Sequence, residues 1–349
     1  MSAHDWLLRG AAQLVLRTPL VHVVARGRRA GPDAELDRQV AAALEGQRLL
    51  RLPELASMAP PAARVFAETA LSPLEVAPAA MAEVIDTTVP GPARPIPVRI
   101  FVPPAARPDW IIYFHGGGGV IGSIRSSEPV TRLLAAQTGC VVASVDYRLG
   151  PEHRHPAAIE DACAAFTALA DRARGAAGHG REPRLVAAGD SFGGFLSAHV
   201  DHQMRATDGR RPDLLALFYP LFDLTLTSPS IDRLADGYLL TRSMIRWFLA
   251  NYLRPTDDPR AASPLHWREL HGAARALLAT AGYDPLVDEA SAYAARLRAA
   301  GAEVRHRHYP RLVHGFLSLA GGVAAARAAF DELCRDIGEL LASEGSGLP

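Results

Sequence analysis

The chain of 349 residues contains no lysine: its 37 basic side chains are all arginines, balanced by 37 acidic ones to a formal net charge of zero. With positive charge scattered and cancelled, nothing favours a phosphate backbone, and nucleic acid is not expected as a partner. Arginine in place of lysine reads as compositional bias, and no function is attached to it. Cysteine is scarce as well. Cys140, Cys163 and Cys334 are odd in number, far apart and without a C-x-x-C pair, which argues against a disulfide framework or a zinc site. They read as buried thiols in a reducing compartment. No apolar run approaches the ~20 residues of a membrane span. The apolar patch at 14–24 is broken by Arg17 and Pro19, and the chain opens with His4 and Asp5. That start lacks the basic residues, uniform apolar core and cleavage site of a secretory signal. A cytoplasmic protein without membrane contact is expected.

What is present is an alternation of short apolar runs with helix-period segments. Residues 1–80 read as helical, with helices over 5–17, 33–50 and 62–68 separated by Gly-Pro and Pro-Pro punctuation. From residue 83 the pattern turns to β, at 83–89 and 98–102. The run WIIYF at 110–114 is apolar throughout, as a central strand covered on both faces must be. There follow a helix near 129–138, a strand at 141–144, a helix at 157–171, a strand at 185–188, a helix at 192–207 and a strand at 214–218. The rhythm breaks over 225–263 and resumes with a strand at 276–281, a helix at 289–300, a strand at 304–309 and a helix at 323–342. Such alternation implies an α/β fold with mostly parallel strands joined by right-handed crossovers. The expected layout is one catalytic α/β domain over 81–349, an N-terminal helical cap segment over 1–80, and a cap insertion at about 225–263.

The chemistry centres on RLVAAGDSFGGFLS at 184–197. An apolar strand meets Gly189-Asp190-Ser191-Phe192-Gly193-Gly194 and continues as a helix, which is a G-x-S-x-G elbow with Ser191 at its apex. A serine in strained backbone needs neighbours without Cβ atoms, and the following helix points its N–H groups toward charge forming there. The competing reading is a glycine-rich turn with an incidental serine, and spacing decides between them. A nucleophilic serine needs a base, and the base needs an acid that fixes its tautomer. Two later strand ends supply both: Asp284 follows the strand at 276–281, and His314 follows the strand at 304–309. Asp288 is the rival acid, but it opens the next helix; His306 and His308 read as strand-face residues.

The run His115-Gly116-Gly117-Gly118-Gly119 fits the same scheme, because acyl transfer builds an oxyanion that needs preorganised N–H donors. The N–H groups of Gly117, Gly118 and Phe192 are the expected donors. His115, Gly116 and Asp190 support them, with His115 orienting the loop by hydrogen bonds. Read instead as a phosphate loop, HGGGG lacks the G-x-G-x-x-G spacing and the G-K-[ST] ending.

Together, HGGGG at 115–119, DYRLGPEHRHPA at 146–157, GDSFGG at 189–194, DPLVDE at 284–289 and HGF at 314–316 resemble the hormone-sensitive-lipase-like branch of the α/β-hydrolases. The resemblance spans about residues 83–340. It implies the α/β-hydrolase fold with a helical cap, the catalytic residues Ser191, Asp284 and His314, and an oxyanion hole at Gly117, Gly118 and Phe192. It further implies a structural role for 147–153, with Arg148 and Glu152 in charge-assisted bonds. Some relatives pair through the last strand and helix, so a homodimer is an option by analogy. Three positions depart from the pattern: Gly119 stands where an aromatic residue is usual, and Phe192 and Gly150 each stand where alanine is usual. Main-chain donors survive these changes, whereas pocket shape need not.

The expected function is hydrolysis of a small to medium-chain carboxylic ester through an acyl-enzyme, with a small-molecule ester as substrate and with no cofactor and no metal. An amide, formamide or N-acetyl substrate on the same residues is the alternative, and acyl transfer to an alcohol other than water shares the chemistry. A small-ligand receptor is the non-enzymatic reading, against which the retained Ser191, Asp284 and His314 argue.

Overall fold

The WIIYF run forms strand β3 (Trp110–Phe114), whose five residues are all buried. Trp110, Ile112 and Phe114 enter one hydrophobic core, while Ile111 and Tyr113 enter another on the opposite face. This two-residue period is why the strand carries no polar position. In the computed structural model, which describes residues 15–26, 28, 35–70, 74–177, 181–207 and 209–343, β3 lies inside an eight-stranded sheet. The other strands are β1 (Glu83–Val89), β2 (Ile96–Val102), β4 (Val141–Val145), β5 (Leu185–Asp190), β6 (Leu214–Phe218), β7 (Ala276–Tyr283) and β8 (Val304–Val313). Their order is β1-β2-β4-β3-β5-β6-β7-β8. β2 runs antiparallel to β1 and β4, and every pair from β4 to β8 is parallel.

The described helices are α1 (Leu20–Val24), α2 (Arg38–Leu49), α3 (Pro60–Ala70), α4 (Ile124–Thr138), α5 (Ala157–Ala177), α6 (Phe192–Arg205), α7 (Pro229–Arg233), α8 (Arg242–Tyr252), α9 (Val287–Ala299) and α10 (Ala324–Ala342). One core gathers Ala162 and Phe166 of α5, Phe195 and Leu196 of α6, Tyr293 of α9 and the apolar face of α8. The other gathers Leu133 and Leu134 of α4, Phe330 and Leu333 of α10, and Val40 and Leu44 of α2.

Several boundaries differ from the sequence expectation, each for a local reason. The helix expected from residue 129 starts at Ile124, because Ser123 and Ser126 form a capping box ahead of it. Pro129 thus lies inside the helix rather than at its start. Strand β8 continues to Val313 instead of ending at 309. Pro310 cannot donate to a ladder, but a register shift between Ala281 and Tyr283 lets pairing resume at Tyr283 and Val313. The helix at 157 runs on to Ala177, and β5 reaches Asp190. The helix expected over 5–17 lies mostly outside the described residues, as do residues 33 and 34 of the second. Among the described residues no helix is long and apolar enough to cross a membrane.

Candidate active site

Parallel pairing brings the carboxyl ends of β3, β5, β6, β7 and β8 to one edge of the sheet. Phe114 pairs with Gly189, Asp190 with Phe218, and Tyr283 with Val313. The residues that follow these ends, His115, Ser191, Tyr219, Asp284 and His314, therefore collect along that edge even though Ser191 and His314 are 123 positions apart.

Ser191 sits between β5 and α6 with φ 54° and ψ −115°, a region that costs an ordinary residue on the order of 1–3 kcal/mol. The surroundings hold it there. Its N–H donates to the Phe218 carbonyl at 2.8 Å, and its carbonyl accepts from Gly194 and Leu221. Gly193 is obligatory at this bend, since a Cβ there would lie 1.8 Å from the Phe114 carbonyl oxygen.

His314 Nδ1 lies 2.9 Å from Asp284 Oδ2, and its Nε2 lies 2.9 Å from Ser191 Oγ. A carboxylate only accepts, so Nδ1 carries the proton and Nε2 is left to accept from the serine hydroxyl. Asp284 is 1% exposed, and its Oδ1 accepts from the Leu286 N–H at 2.9 Å. The loop that carries it is pinned on the insertion side: Ser230 donates to the Pro285 carbonyl at 2.6 Å. Nearby, buried Glu289 accepts the N–H groups of Phe222 and Asp223, and burial pushes its carboxyl well above the usual range. The rival Asp288 lies in the first turn of α9, where Arg233 engages its carboxylate.

The glycine loop lies across the edge from His314. Gly117, Gly118 and Gly119 all have positive φ, and the Gly117 carbonyl accepts from both Val120 and Ile121 at 3.0 Å, closing a tight turn. Among the described residues the N–H groups of Gly117, Gly118 and Phe192 donate to no protein acceptor. Asp190 Oδ1 takes the Gly116 N–H at 2.9 Å and the Tyr113 hydroxyl at 2.7 Å, which fastens the start of the loop to β3 and β5. Burial raises the Asp190 carboxyl from its usual value. His115 donates from Nδ1 to the Gly116 carbonyl at 2.8 Å and stacks on Tyr147, whose hydroxyl donates to the His115 carbonyl at 2.7 Å. Burial holds the His115 imidazole below its ordinary range.

The departures at 119, 192 and 150 prove to be one packing arrangement. The Phe192 ring is fully buried, stacking on Phe195 and meeting Tyr252 of α8 edge-on at 4.8 Å. It fills the space an aromatic side chain at 119 would need: a Cβ on Gly119 would lie 2.8 Å from both Phe192 Cζ and Tyr252 Cδ2. Gly150 donates to the Gly119 carbonyl at 2.7 Å, and a Cβ on Gly150 would lie 2.6 Å from the Asn251 carbonyl oxygen. Behind this layer Arg148 is buried against Asp161, with Glu160 alongside, and Glu152 pairs with Arg64.

Two neighbours of the site carried no sequence signal. Tyr219, with φ +38°, sets its ring 4.9 Å from that of His314. Arg64 comes from α3, an alanine-rich segment whose pattern marks it only as helical. Among the described residues no group of three or more His, Cys, Asp or Glu side chains is placed to hold a metal ion.

These features agree with what the chain is similar to. A family model described as alpha/beta hydrolase fold matches residues 111–318. Carboxylic ester hydrolase LipN of Mycobacterium tuberculosis is 42% identical over 256 residues, covering 70% of this chain and 67% of the relative. An ethyl acetate hydrolase of Pseudomonas putida is 36% identical over 239 residues, covering 66% and 74%. The solved structure of ester-hydrolase EH1AB1, from the metagenome of Lake Arreo, superposes with a TM-score of 0.83 at 33% identity, covering 88% of this chain and all of that one. The chain belongs to the α/β-hydrolase family, in its hormone-sensitive-lipase-like branch of carboxylic ester hydrolases.

Proposed function

We propose that this enzyme hydrolyses small to medium-chain carboxylic esters with Ser191 as nucleophile, His314 as general base and acid, and Asp284 as the group that orients His314. The observation that carries the reading is the hydrogen-bonded series from Asp284 through His314 to Ser191, with both links at 2.9 Å. His314 Nε2 takes the Ser191 proton as Oγ attacks the ester carbonyl, and the imidazolium so formed is balanced by Asp284. Negative charge on the carbonyl oxygen meets the N–H groups of Gly117, Gly118 and Phe192, each worth about 10²–10³ in rate for a donor of this kind. The imidazolium then protonates the departing alcohol, leaving Ser191 acylated. His314 next draws a proton from water, which attacks the acyl carbonyl, and returns that proton to Ser191 as the acid leaves. Short esters are favoured by the likeness to a relative named for ethyl acetate hydrolysis. Residues up to 80 and the insertion at about 225–263 serve as the cap; both touch the site, through Arg64 and through the Tyr252 face of α8. The three unpaired thiols suit a reducing, cytoplasmic setting.

Ser191→Ala tests the reading. Turnover of p-nitrophenyl butyrate is expected to fall about 10⁴-fold or more with folding unchanged; retained turnover would overturn the assignment.

A further inference from the structure

The glycine loop is gripped from outside the α/β core, and by a residue that lies outside the matched family region, residues 111–318. Arg64, on α3 of the N-terminal segment, spreads one guanidinium over three partners. Nε donates to the Val120 carbonyl at 2.9 Å, and Nη2 donates to the Gly150 carbonyl at 2.8 Å. Nη1 and Nη2 together take the Glu152 carboxylate, at 2.9 Å and 2.6 Å. These contacts close a circuit. Val120 belongs to the turn whose N–H returns to the Gly117 carbonyl, and Gly150 donates to the Gly119 carbonyl at 2.7 Å. Arg64 thus ties the C-terminal side of the turn 117–120, at Val120 directly and at Gly119 through Gly150, to the loop at 150–152, with its own bonds charge-assisted and in a fixed fork. The Arg64 side chain is 28% exposed, so its bonds to the two carbonyls are partly shielded from water.

Other groups fix this turn from different directions. Asp190 holds Gly116, ahead of the turn, and Phe248 of α8 packs against the open face of Gly118. Phe192 and Tyr252 pack at Gly119, but among the described residues only Arg64 donates to the Val120 carbonyl. If the turn rotates about its positive-φ glycines, the N–H groups of Gly117 and Gly118 swing with it. Oxyanion donors act through preorganisation, and small misplacements cost rate rather than ground-state binding.

Resting on the esterase reading above, we infer that Arg64 is a positioning residue: it sets the orientation of the Gly117 and Gly118 N–H groups and so couples docking of the N-terminal segment to transition-state stabilisation. It touches no substrate atom. Its loss is expected to act on kcat, because an oxyanion forms only as the carbonyl is attacked.

The test compares Arg64→Ala and Arg64→Lys with the unaltered full chain, using p-nitrophenyl butyrate. Active sites are counted with an alkyl fluorophosphonate, and affinity is measured for an alkyl trifluoromethyl ketone, whose adduct with the serine carries an oxyanion. Arg64→Ala is expected to lower kcat per labelled site about tenfold or more, less than the 10²–10³ for losing a donor outright, with KM changed by no more than about twofold. Trifluoromethyl ketone affinity should fall in parallel with kcat/KM. Arg64→Lys should recover only part of the loss, since one ammonium cannot span the two carbonyls and the carboxylate. Should Arg64→Ala fail to fold, the lysine variant carries the same comparison. Unchanged kcat per labelled site would show that Arg64 merely stabilises the segment and would overturn the inference, as would a loss confined to KM. Failure of the unaltered enzyme to label or turn over would instead sink the esterase reading itself, so the two failures are distinguishable.

Discussion

Replacing Gly119 by alanine perturbs the packed layer formed by Gly119, Phe192 and Tyr252. The residue has φ +72°, a conformation that costs an L-residue with a Cβ about 1–2 kcal/mol. The new methyl would sit 2.8 Å from Phe192 Cζ and Tyr252 Cδ2, and crowding of that kind in a packed core adds about 1–3 kcal/mol. Gly119→Ala should therefore cost about 2–5 kcal/mol. Phe192→Ala empties a fully buried ring position and should cost about 3–5 kcal/mol by itself. In the double variant the ring that the methyl strikes is gone, while the backbone strain and the Tyr252 contact remain. The pair should thus be less destabilising than the sum by about 1–2 kcal/mol. Urea unfolding followed by circular dichroism, with equal m-values across the cycle, measures this coupling. Additivity within about 0.5 kcal/mol would refute the idea that the two departures from the family pattern are one exchange of volume.

Two further predictions concern stability away from the reacting atoms. His199 packs between the rings of Phe195 and Trp267, with Nε2 unpartnered among the described residues, and burial drives its pKa down from 6.5 to about 3. The fold favours the neutral ring, so its contribution is complete above about pH 6.5 and is lost as pH falls toward 3, to a ceiling of about 5 kcal/mol at 1.36 kcal/mol per pH unit. His199→Phe should flatten the decline of Tm between pH 6.5 and 4.5, and an unchanged slope would assign the decline to other groups. Arg148→Met leaves the Asp161 carboxylate, 2% exposed at the side chain, without its guanidinium; breaking a buried pair from one side costs about 3–5 kcal/mol. Denaturant unfolding checks it, and a loss under about 1 kcal/mol would mean that water or rearrangement satisfies Asp161.

The sheet and the grouping of Ser191, Asp284 and His314 at one edge of it were legible because both rest on local signals that tertiary context reinforces. A run such as 110–114 with no polar position can only be a strand covered twice, and Gly189 to Gly193 has few uses besides a sharp strand-to-helix bend. Asp284 and His314 were found by following strand ends. Strand β8 was read too short because Pro310 breaks the local ladder, while the pairing that carries the strand past it depends on a register shift with β7. The same limit hid Arg64: its importance lies in carbonyls at 120 and 150, and no pattern within an alanine-rich helix announces partners 56 and 86 residues away. Tyr219 is a similar case, placed beside His314 by the ordering of β6 and β8 and not by anything near it in the chain. The odd residues at 119 and 192 were visible as departures, but their reciprocity needed the ring positions.

Peptide mapping after exposure to an alkyl fluorophosphonate asks most directly whether Ser191 is the nucleophile. Attack by Oγ on phosphorus with release of fluoride should leave one phosphonyl group per chain, on the peptide that contains Ser191. The adduct should be absent from Ser191→Ala and should form far more slowly in His314→Ala. A chain that stays unmodified while hydrolysing esters, or one modified at some other serine, would contradict the mechanism.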